Sequence, residues 1–158
     1  MFKNDKGWTA KLIDFGYSCL GTSEHDLVQV IGTRPWQAPE NGDQYFTISG
    51  ARRMDIYLFG ILTARTMLSD VMPSTIGKVG KCKSRKEAES LLQRIEEMKS
   101  SGEFLDTVCK ALRECETISG EFKDSLEHVF QFTLQHEPSE RCEGFANVLS
   151  VLASGTGV

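Results

Sequence analysis

The sequence predicts a mainly α fold of the α+β class, and three of its features support this. The chain has 158 residues, enough for a single domain with one core. Residues 55–68 carry apolar side chains on nearly every helical face, which is typical of a buried helix. Later segments repeat apolar residues at helical spacing, whereas strand-like sequence is confined to the start of the chain.

The first segment favours a short β-hairpin. Residues 4–7 read Asn-Asp-Lys-Gly, which is a turn signal. The residues Trp8–Phe15 form a plausible strand after it, and the strand before the turn is barely present. Residues 16–40 contain glycines, prolines and hydroxyl side chains with little periodicity. We expect a long loop there, and long loops in compact domains tend to be functional.

The helices are predicted from residue 55 onward. Asp55 suits the first turn of the buried helix 55–68, because a carboxylate there meets unpaired backbone N–H groups. Residues 69–84 predict a loop with a basic cluster, which we expect to be solvated; binding of a phosphate-rich partner is the alternative. Ser84 and Glu87 form a capping box, which predicts the start of the next helix. Four apolar stripes then predict the core faces of amphipathic helices, and they comprise Leu91, Leu92, Ile95 and Met98; Phe104, Leu105, Val108, Ala111 and Leu112; Phe122, Leu126, Val129, Phe130 and Leu134; and Phe145, Val148, Leu149 and Leu152.

Composition excludes several classes of protein. The net charge of −4 argues against a nucleic-acid partner. The longest apolar runs fall short of the roughly 20 residues that a membrane span needs, so we expect no membrane partner. The five cysteines include no Cys-x-x-Cys pair and are expected to be idle thiols in a reducing compartment. The sequence therefore predicts an intracellular protein, cytoplasmic or nuclear, with one domain over 1–153 and a flexible tail over 154–158.

Four short motifs occur in a fixed order along the chain. Residues 14–16 read Asp-Phe-Gly, residues 32–40 read Gly-Thr-Arg-Pro-Trp-Gln-Ala-Pro-Glu, and residues 55–60 read Asp-Ile-Tyr-Leu-Phe-Gly. The fourth, at 136–141, reads His-Glu-Pro-Ser-Glu-Arg. With these motifs in this order, the chain resembles the second half of the helical lobe of protein kinases, from just before Asp-Phe-Gly to the last helix. The Gly-Thr pair before Ala-Pro-Glu is more similar to the serine/threonine branch.

The resemblance implies roles for particular residues. Asp14 would hold a magnesium ion that bridges the phosphates of ATP, and Gly16 would allow the backbone to bend after Phe15. The activation segment would run from Asp14 to Glu40 and include the residues Phe15, Gly16, Thr33, Ala38, Pro39 and Glu40. Thr33 would face the substrate hydroxyl, although it could also be an ordinary loop hydroxyl.

Two further roles are structural. Glu40 and Arg141 would form a buried ion pair that holds the activation segment on the helices. Asp55 would bind the backbone of the catalytic loop, with a simple helix cap as the alternative. Hydroxyls of the activation segment could accept phosphate, and the candidates are Tyr17, Ser18, Thr22 and Ser23.

Several parts of the family's reaction are missing. These 158 residues contain no Gly-x-Gly-x-x-Gly loop and no His-Arg-Asp motif, so no catalytic residue is assigned. ATP and Mg²⁺ are implied by the family, but we do not expect them to bind this chain alone. The expected function is that of a protein kinase-like fragment whose intact form phosphorylates serine or threonine, with a protein substrate or the missing N-lobe half as partner. The alternatives are a non-catalytic kinase-derived interaction module and an unrelated helical domain.

Overall fold

The computed structural model describes residues 2–4, 7–9, 15–16, 18–42, 44–72 and 75–155. Within these ranges the chain forms five α-helices and two small antiparallel sheets of two strands each. The predicted mainly α class is therefore confirmed. No helix in the described ranges is long and apolar enough to cross a membrane.

The first sheet is the hairpin of β1 (Phe2–Asn4) and β2 (Gly7–Thr9). Asn4 pairs with Gly7, so the two strands flank the predicted turn, whose central residues 5 and 6 lie outside the described ranges. The predicted strand extends further, to Phe15, but residues 10–14 lie outside the described ranges. Phe15 itself belongs to no strand, and its side chain is exposed.

The second sheet was not expected, because its first strand lies inside the predicted loop 16–40. It pairs β3 (Leu27–Gln29) with β4 (Tyr45–Thr47), and Val28 stands opposite Phe46. These two central residues are half-buried while their neighbours in the strands are exposed. A strand of three residues has only one side chain that faces the core. This is too short an alternation of apolar and polar residues to predict a strand from the sequence.

The first helix, α1, spans Ile48–Leu68 and begins seven residues earlier than predicted. Its N-cap is Thr47, whose side-chain oxygen accepts a hydrogen bond from the Gly50 N–H at 3.1 Å. Asp55 therefore lies in the helix interior, and its alternative role as a helix cap is wrong. Glycine at position 50 and two arginines at 52 and 53 hid this first part of the helix from the apolar pattern.

Four more helices follow in the order that the apolar stripes predict. They are α2 (Arg85–Ser100), α3 (Glu103–Glu114), α4 (Gly120–Thr133) and α5 (Phe145–Gly155). Short 3₁₀ turns lie at Ile76–Lys78 and Pro138–Glu140. Pro138 thus opens a 3₁₀ turn after α4 has already ended. Because α5 runs to Gly155, the first two residues of the predicted tail are helical, and 156–158 lie outside the described ranges.

The capping box of α2 is present in a modified form. The Ser84 Oγ accepts a hydrogen bond from the Glu87 N–H at 3.2 Å, as predicted. The Glu87 carboxylate, however, accepts from the Lys83 N–H at 2.8 Å, one residue before the cap. Both bonds satisfy N–H groups at the start of the helix, and the box fixes where α2 begins.

The core is organised around α1, which contacts α3, α4 and both strands of the second sheet. Its buried residues fall on several helical faces and include Ile56, Tyr57, Ile61, Ala64 and Leu68. Where α1 crosses α4, Gly60 allows a close approach: a Cβ there would lie 2.4 Å from the Thr133 Oγ1. The prediction of a buried helix is confirmed for one broad side of α1, whereas Asp55, Leu62 and Thr66 on the other side are exposed.

Candidate functional site

An ion pair between Glu40 and Arg141 connects the segment that carries the Ala-Pro-Glu motif to the residues that follow α4. The guanidinium of Arg141 donates to both carboxylate oxygens of Glu40, from Nη1 at 2.6 Å and from Nη2 at 2.9 Å. The Arg141 side chain is fully buried, and the Glu40 side chain is 19% exposed. These residues are 101 positions apart, so the contact is a property of the tertiary fold and not of a local element.

All five N–H donors of Arg141 find acceptors. Besides Glu40, they reach the backbone carbonyls of Gln135 at 2.8 Å, His136 at 2.9 Å and Arg53 at 3.3 Å. The guanidinium also lies over the Tyr57 ring, 4.6 Å from its centroid. A buried guanidinium with every donor used and a carboxylate as counter-charge can hold three chain segments in one arrangement. Here it joins residue 40, helix α1 and the turn that follows α4.

A groove lies beside this ion pair, between residues 30–41 and the outer face of α1. We call it the α1 groove. It has a volume of about 340 Å³. One wall comes from Thr33, Trp36 and Gln37, and the other from α1 through Asp55 and neighbouring residues that include Met54, Leu58 and Leu62. Its lining combines apolar residues with a few polar ones, which is the usual composition of a ligand groove.

Two of the predicted site residues, Thr33 and Asp55, line the α1 groove from opposite walls. The Thr33 side chain is exposed, and its carbonyl accepts the Trp36 N–H at 2.8 Å, which closes a tight turn. Partial burial raises the pKa of the Asp55 carboxyl above its ordinary value. The groove therefore holds a hydroxyl and a partly desolvated carboxylate, both open to a bound molecule.

One polar atom in the groove has no partner among the described residues. The Asn41 Nδ2 donates to the Gln37 Oε1 at 3.3 Å, but the buried Asn41 Oδ1 accepts no hydrogen bond there. Gly32 lies against these two side chains, since a Cβ at Gly32 would come within 2.3 Å of the Asn41 Nδ2. The Asn41 Oδ1 is therefore a buried acceptor with unused hydrogen-bonding capacity in a residue that lines the groove.

The Asp-Phe-Gly end of the segment is described only in part. Phe15 and Gly16 are exposed, and the Ser18 N–H donates to the Phe15 carbonyl at 3.0 Å, so Gly16 lies in a turn. Asp14, the predicted magnesium ligand, lies outside the described ranges. Among the residues that are described, no three His, Cys, Asp or Glu side chains come together as a metal site.

The remaining motif residues lie between the ion pair and the groove. Ala38 is buried and lines the groove, and Pro39 is half-buried. The Asn41 N–H donates to the Ala38 carbonyl at 3.1 Å, so residues 38–41 form a turn that leads Glu40 toward Arg141. The structure thus brings Thr33, Ala38, Glu40, Asp55 and Arg141 into one region.

Sequence reasoning missed two residues of this region. Lys99 on α2 is buried, and its ammonium reaches back to the backbone of residues 35 and 37. Trp36 lies under the guanidinium of Arg65, which is 5.5 Å from the ring centroid. A signal for Lys99 was present: it follows Leu91 and Ile95 at intervals of four residues and so belongs to the buried face of the helix.

A larger cleft lies elsewhere, between the end of α1 and the helices α2 and α3, with a volume of about 590 Å³. Charges of both signs line it, including Arg94, Glu97, Glu103 and Lys110. None of the residues singled out from the motifs lines this cleft, so we place the candidate site at the α1 groove.

Comparisons of the chain with protein-family models, with curated proteins and with solved structures found no match.

Proposed function

We propose that this chain is the second half of the helical lobe of a serine/threonine protein kinase-like domain. In this proposal the α1 groove receives the polypeptide segment that carries the serine or threonine. The intact domain catalyses ATP-dependent phosphorylation, and the chain alone is inactive. An intracellular location, cytoplasmic or nuclear, belongs to the same proposal.

The observation that carries the proposal is the ion pair between Glu40 and Arg141. The resemblance implied that these two residues should meet across 101 positions, and they lie in bidentate contact. No local pattern of the sequence requires this pairing. The contact supports a shared arrangement of the Ala-Pro-Glu segment and the last helices, which is the arrangement that the kinase resemblance implies.

The α1 groove supports the second part of the proposal. A peptide backbone brings N–H donors, and the Asn41 Oδ1 is a buried acceptor without a partner among the described residues. The apolar lining residues Met54 and Leu58 suit one side chain of a bound segment, and the exposed Thr33 lines the same groove. The groove is thus complementary to an extended polypeptide with one apolar side chain turned inward.

ATP and Mg²⁺ would supply the transferred phosphoryl group and neutralise its charge when bound to the intact domain. In this chain only Asp14 is assigned to them, by resemblance. The part that the described residues contribute is positional: the segment 33–40 is fixed by Glu40, and the groove orients a hydroxyl-bearing segment.

A second candidate function, a non-catalytic interaction module, is favoured by one observation. Apolar side chains of α1 and α5 are uncovered: Leu62 is 44% exposed and Leu149 is 63% exposed. Phe145 of α5 packs edge-on against Phe59 of α1 at 5.5 Å between ring centroids and is itself 44% exposed. Such a face could be covered by the missing half of a kinase domain or by an unrelated partner.

The test is to join the chain to the polypeptide encoded in frame directly before Met1. We expect that upstream sequence to contain a Gly-rich loop, a strand lysine and a His-Arg-Asp motif. We expect the joined protein to transfer phosphate from ATP to a peptide pool with a fixed central serine. Transfer should be lost in Asp14→Ala and kept in Asp5→Ala, which removes a carboxylate outside the Asp-Phe-Gly motif.

Two results would decide against the kinase proposal. An upstream sequence without these elements, together with an expressed short chain, would favour the interaction module. A joined protein that contains them but transfers no phosphate, or that is equally active with Asp14→Ala, would contradict the roles assigned here.

A further inference from the structure

Lys99 is a buried cation that takes no part in the proposed reaction. Its side chain has no exposed surface. The ammonium lies 3.1 Å from the Pro35 carbonyl, 2.8 Å from the Gln37 carbonyl and 2.7 Å from the Glu96 carboxylate. An ammonium group has three donors, and three acceptors surround this one. Burial lowers the pKa of Lys99, and the pairing of its ammonium with the Glu96 carboxylate acts in the opposite direction.

The two carbonyls bound by Lys99 belong to one short turn. They flank Trp36, whose ring lines the α1 groove together with the Gln37 side chain. No backbone N–H group in the described ranges donates a hydrogen bond to either carbonyl. Without the ammonium, both carbonyl oxygens would lack a hydrogen-bond donor. Because an unsatisfied buried acceptor costs free energy, the contact with Lys99 stabilises the turn against α2.

The contact also connects to the ion pair of Glu40. The carbonyl of Lys99 accepts a hydrogen bond from the His136 Nδ1 at 2.9 Å, and the carbonyl of His136 accepts from Arg141 at 2.9 Å. Arg141 in turn binds Glu40. The segment 35–40 is therefore held by Lys99 near its start and by Arg141 at its end, and the two cations are linked through His136.

We propose that Lys99 is a positioning residue of the α1 groove: by binding the carbonyls of Pro35 and Gln37 it fixes the wall formed by Trp36 and Gln37. The consequence for peptide binding rests on the proposed function. The positioning itself does not, because it is a property of the free chain.

The test is amide hydrogen exchange of the full chain, measured by mass spectrometry, in wild type and in Lys99→Met. Methionine keeps the length and apolar stem of lysine and removes its charge and donors. We expect exchange over residues 33–41 to accelerate by about tenfold or more, as for a segment that opens locally, while α4 keeps its wild-type rate. The control is Lys86→Met, the same substitution at an exposed position of the same helix, which should leave both regions unchanged.

A second probe reports on the groove wall directly. In a Trp8→Phe background, Trp36 is the remaining tryptophan, since the chain has two. We expect Lys99→Met to increase acrylamide quenching of Trp36 and to shift its emission to the red. A merely structural role of Lys99 would instead lower the global stability and accelerate exchange everywhere, with no separate change at Trp36 in the folded state.

Unchanged exchange over 33–41, or an equal acceleration in 33–41 and α4, would overturn the proposal. If Lys99→Met does not fold, the same comparison is made with Glu96→Gln, which keeps the ammonium and removes its counter-charge. There we expect a smaller acceleration confined to 33–41, and no change in that variant would also overturn the proposal.

A labelled pool of peptides with a fixed central serine separates this inference from the proposed function. Binding to wild type that weakens several-fold in Lys99→Met would support both. If wild type binds no peptide while exchange over 33–41 still responds to Lys99→Met, the proposed function fails and the positioning role of Lys99 stands.

Discussion

At the scale of single residues, the contact that matters most is the pair of Glu40 and Arg141. Because the pair is buried, removing one partner leaves a charge without compensation. We expect Glu40→Gln and Arg141→Met each to lower the free energy of unfolding by about 3–5 kcal/mol. The double variant should lose much less than the sum, because neither charge is then stranded. Urea unfolding of the four proteins measures this coupling.

The control for this double-mutant cycle is the exposed pair of Arg85 and Glu89 on α2, whose side chains are 92% and 62% exposed. Arg85→Met should change the free energy of unfolding by no more than about 0.5 kcal/mol. Effects of Glu40→Gln and Arg141→Met that add within about 0.5 kcal/mol would show that the two side chains do not interact.

Asp55 gives a prediction about pH. Its pKa is raised in the folded chain by burial, so the folded state holds the proton more tightly than the unfolded state. Stability contributed by Asp55 is therefore greatest at low pH and falls as the pH rises through the raised pKa. We expect Asp55→Asn to stabilise the chain at pH 7 by a few tenths of a kcal/mol, a small effect because the residue is exposed in part. The difference should vanish below about pH 3.5, where the unfolded chain also protonates.

Asp26 is the matched comparison with the opposite sign. Hydrogen bonds from the backbone N–H groups of Ser23 and Thr22 lower the pKa of its carboxyl. Its contribution to stability is present above the ordinary aspartate pKa and is lost as the pH falls through the lowered value. Asp26→Asn should therefore destabilise the chain at pH 7. Thermal unfolding between pH 3 and pH 8 checks both signs, and equal signs would contradict the assignment.

At the scale of elements, the crossing of α1 and α4 depends on Gly60. A methyl group at position 60 would lie 2.4 Å from the Thr133 Oγ1 and 2.7 Å from the Leu134 Cδ2. We expect Gly60→Ala to lower the free energy of unfolding by about 1–3 kcal/mol through overpacking, although alanine is the better helix former.

Gly50→Ala is the control in the same helix. There the nearest atom to a new Cβ is the Thr47 Oγ1 at 3.4 Å, an ordinary contact. The gain in helix propensity should then raise the free energy of unfolding by up to about 1 kcal/mol. Urea unfolding distinguishes the two, and a stabilising Gly60→Ala would show that the helices do not cross at this distance.

The helices and strands also show which parts of the fold could be predicted from the sequence. Helices α2 to α5 were predicted because each has one apolar face repeated over two or more turns. The start of α1 was missed because Gly50, Arg52 and Arg53 interrupt the apolar pattern, while the signal that places the start, the cap by Thr47, uses a common hydroxyl residue. The β3–β4 sheet was missed because strands of three residues carry too little alternation.

The candidate site likewise has a part that could be predicted from the sequence and a part that could not. The contact of Glu40 with Arg141 was predictable only because a resemblance placed two distant motifs together. The groove wall could not be predicted, since it depends on Lys99 reaching residues more than 60 positions away. A lysine in a helix is ordinarily solvated, and only its place in the i, i+4 series of buried residues set it apart.

At the scale of the whole molecule, the uncovered apolar face determines solution behaviour. Within α1, Ile61 and Leu68 are fully buried by this chain itself. Leu62, Phe145 and Leu149 remain exposed. We expect the isolated chain to self-associate with rising concentration, and Leu62→Lys to reduce this in sedimentation velocity.

Val71→Lys is the comparison for that experiment, since Val71 is 39% exposed but lines the cleft beside α2 and α3. It should leave self-association unchanged. A monomeric wild type at all concentrations, or an equal effect of both substitutions, would show that the face of α1 is not the site of association.

The whole molecule also sets the expected activity. We expect the isolated chain to transfer no phosphate from radiolabelled ATP, because the residues that would hold the other phosphate oxygens are absent from its 158 positions. Wild type and Asp14→Ala should both give background incorporation. Incorporation above background in wild type that disappears in Asp14→Ala would contradict this prediction.

The two cations that hold residues 35–40, Lys99 and Arg141, are synthesised at different times, so their contacts with this segment become possible in a fixed order during translation. Lys99 follows Pro35 by 64 positions, and Arg141 follows Glu40 by 101. At roughly 5–20 residues per second, translation needs about 5–20 s to pass from Glu40 to Arg141. Only after Lys99 has been made can residues 35–37 form their contact with it, and the contact of Glu40 must wait for Arg141. A ribosome that stalls between the codons of Lys99 and Arg141 would therefore present the Ala-Pro-Glu segment without its Arg141 contact, with Glu40 still in water.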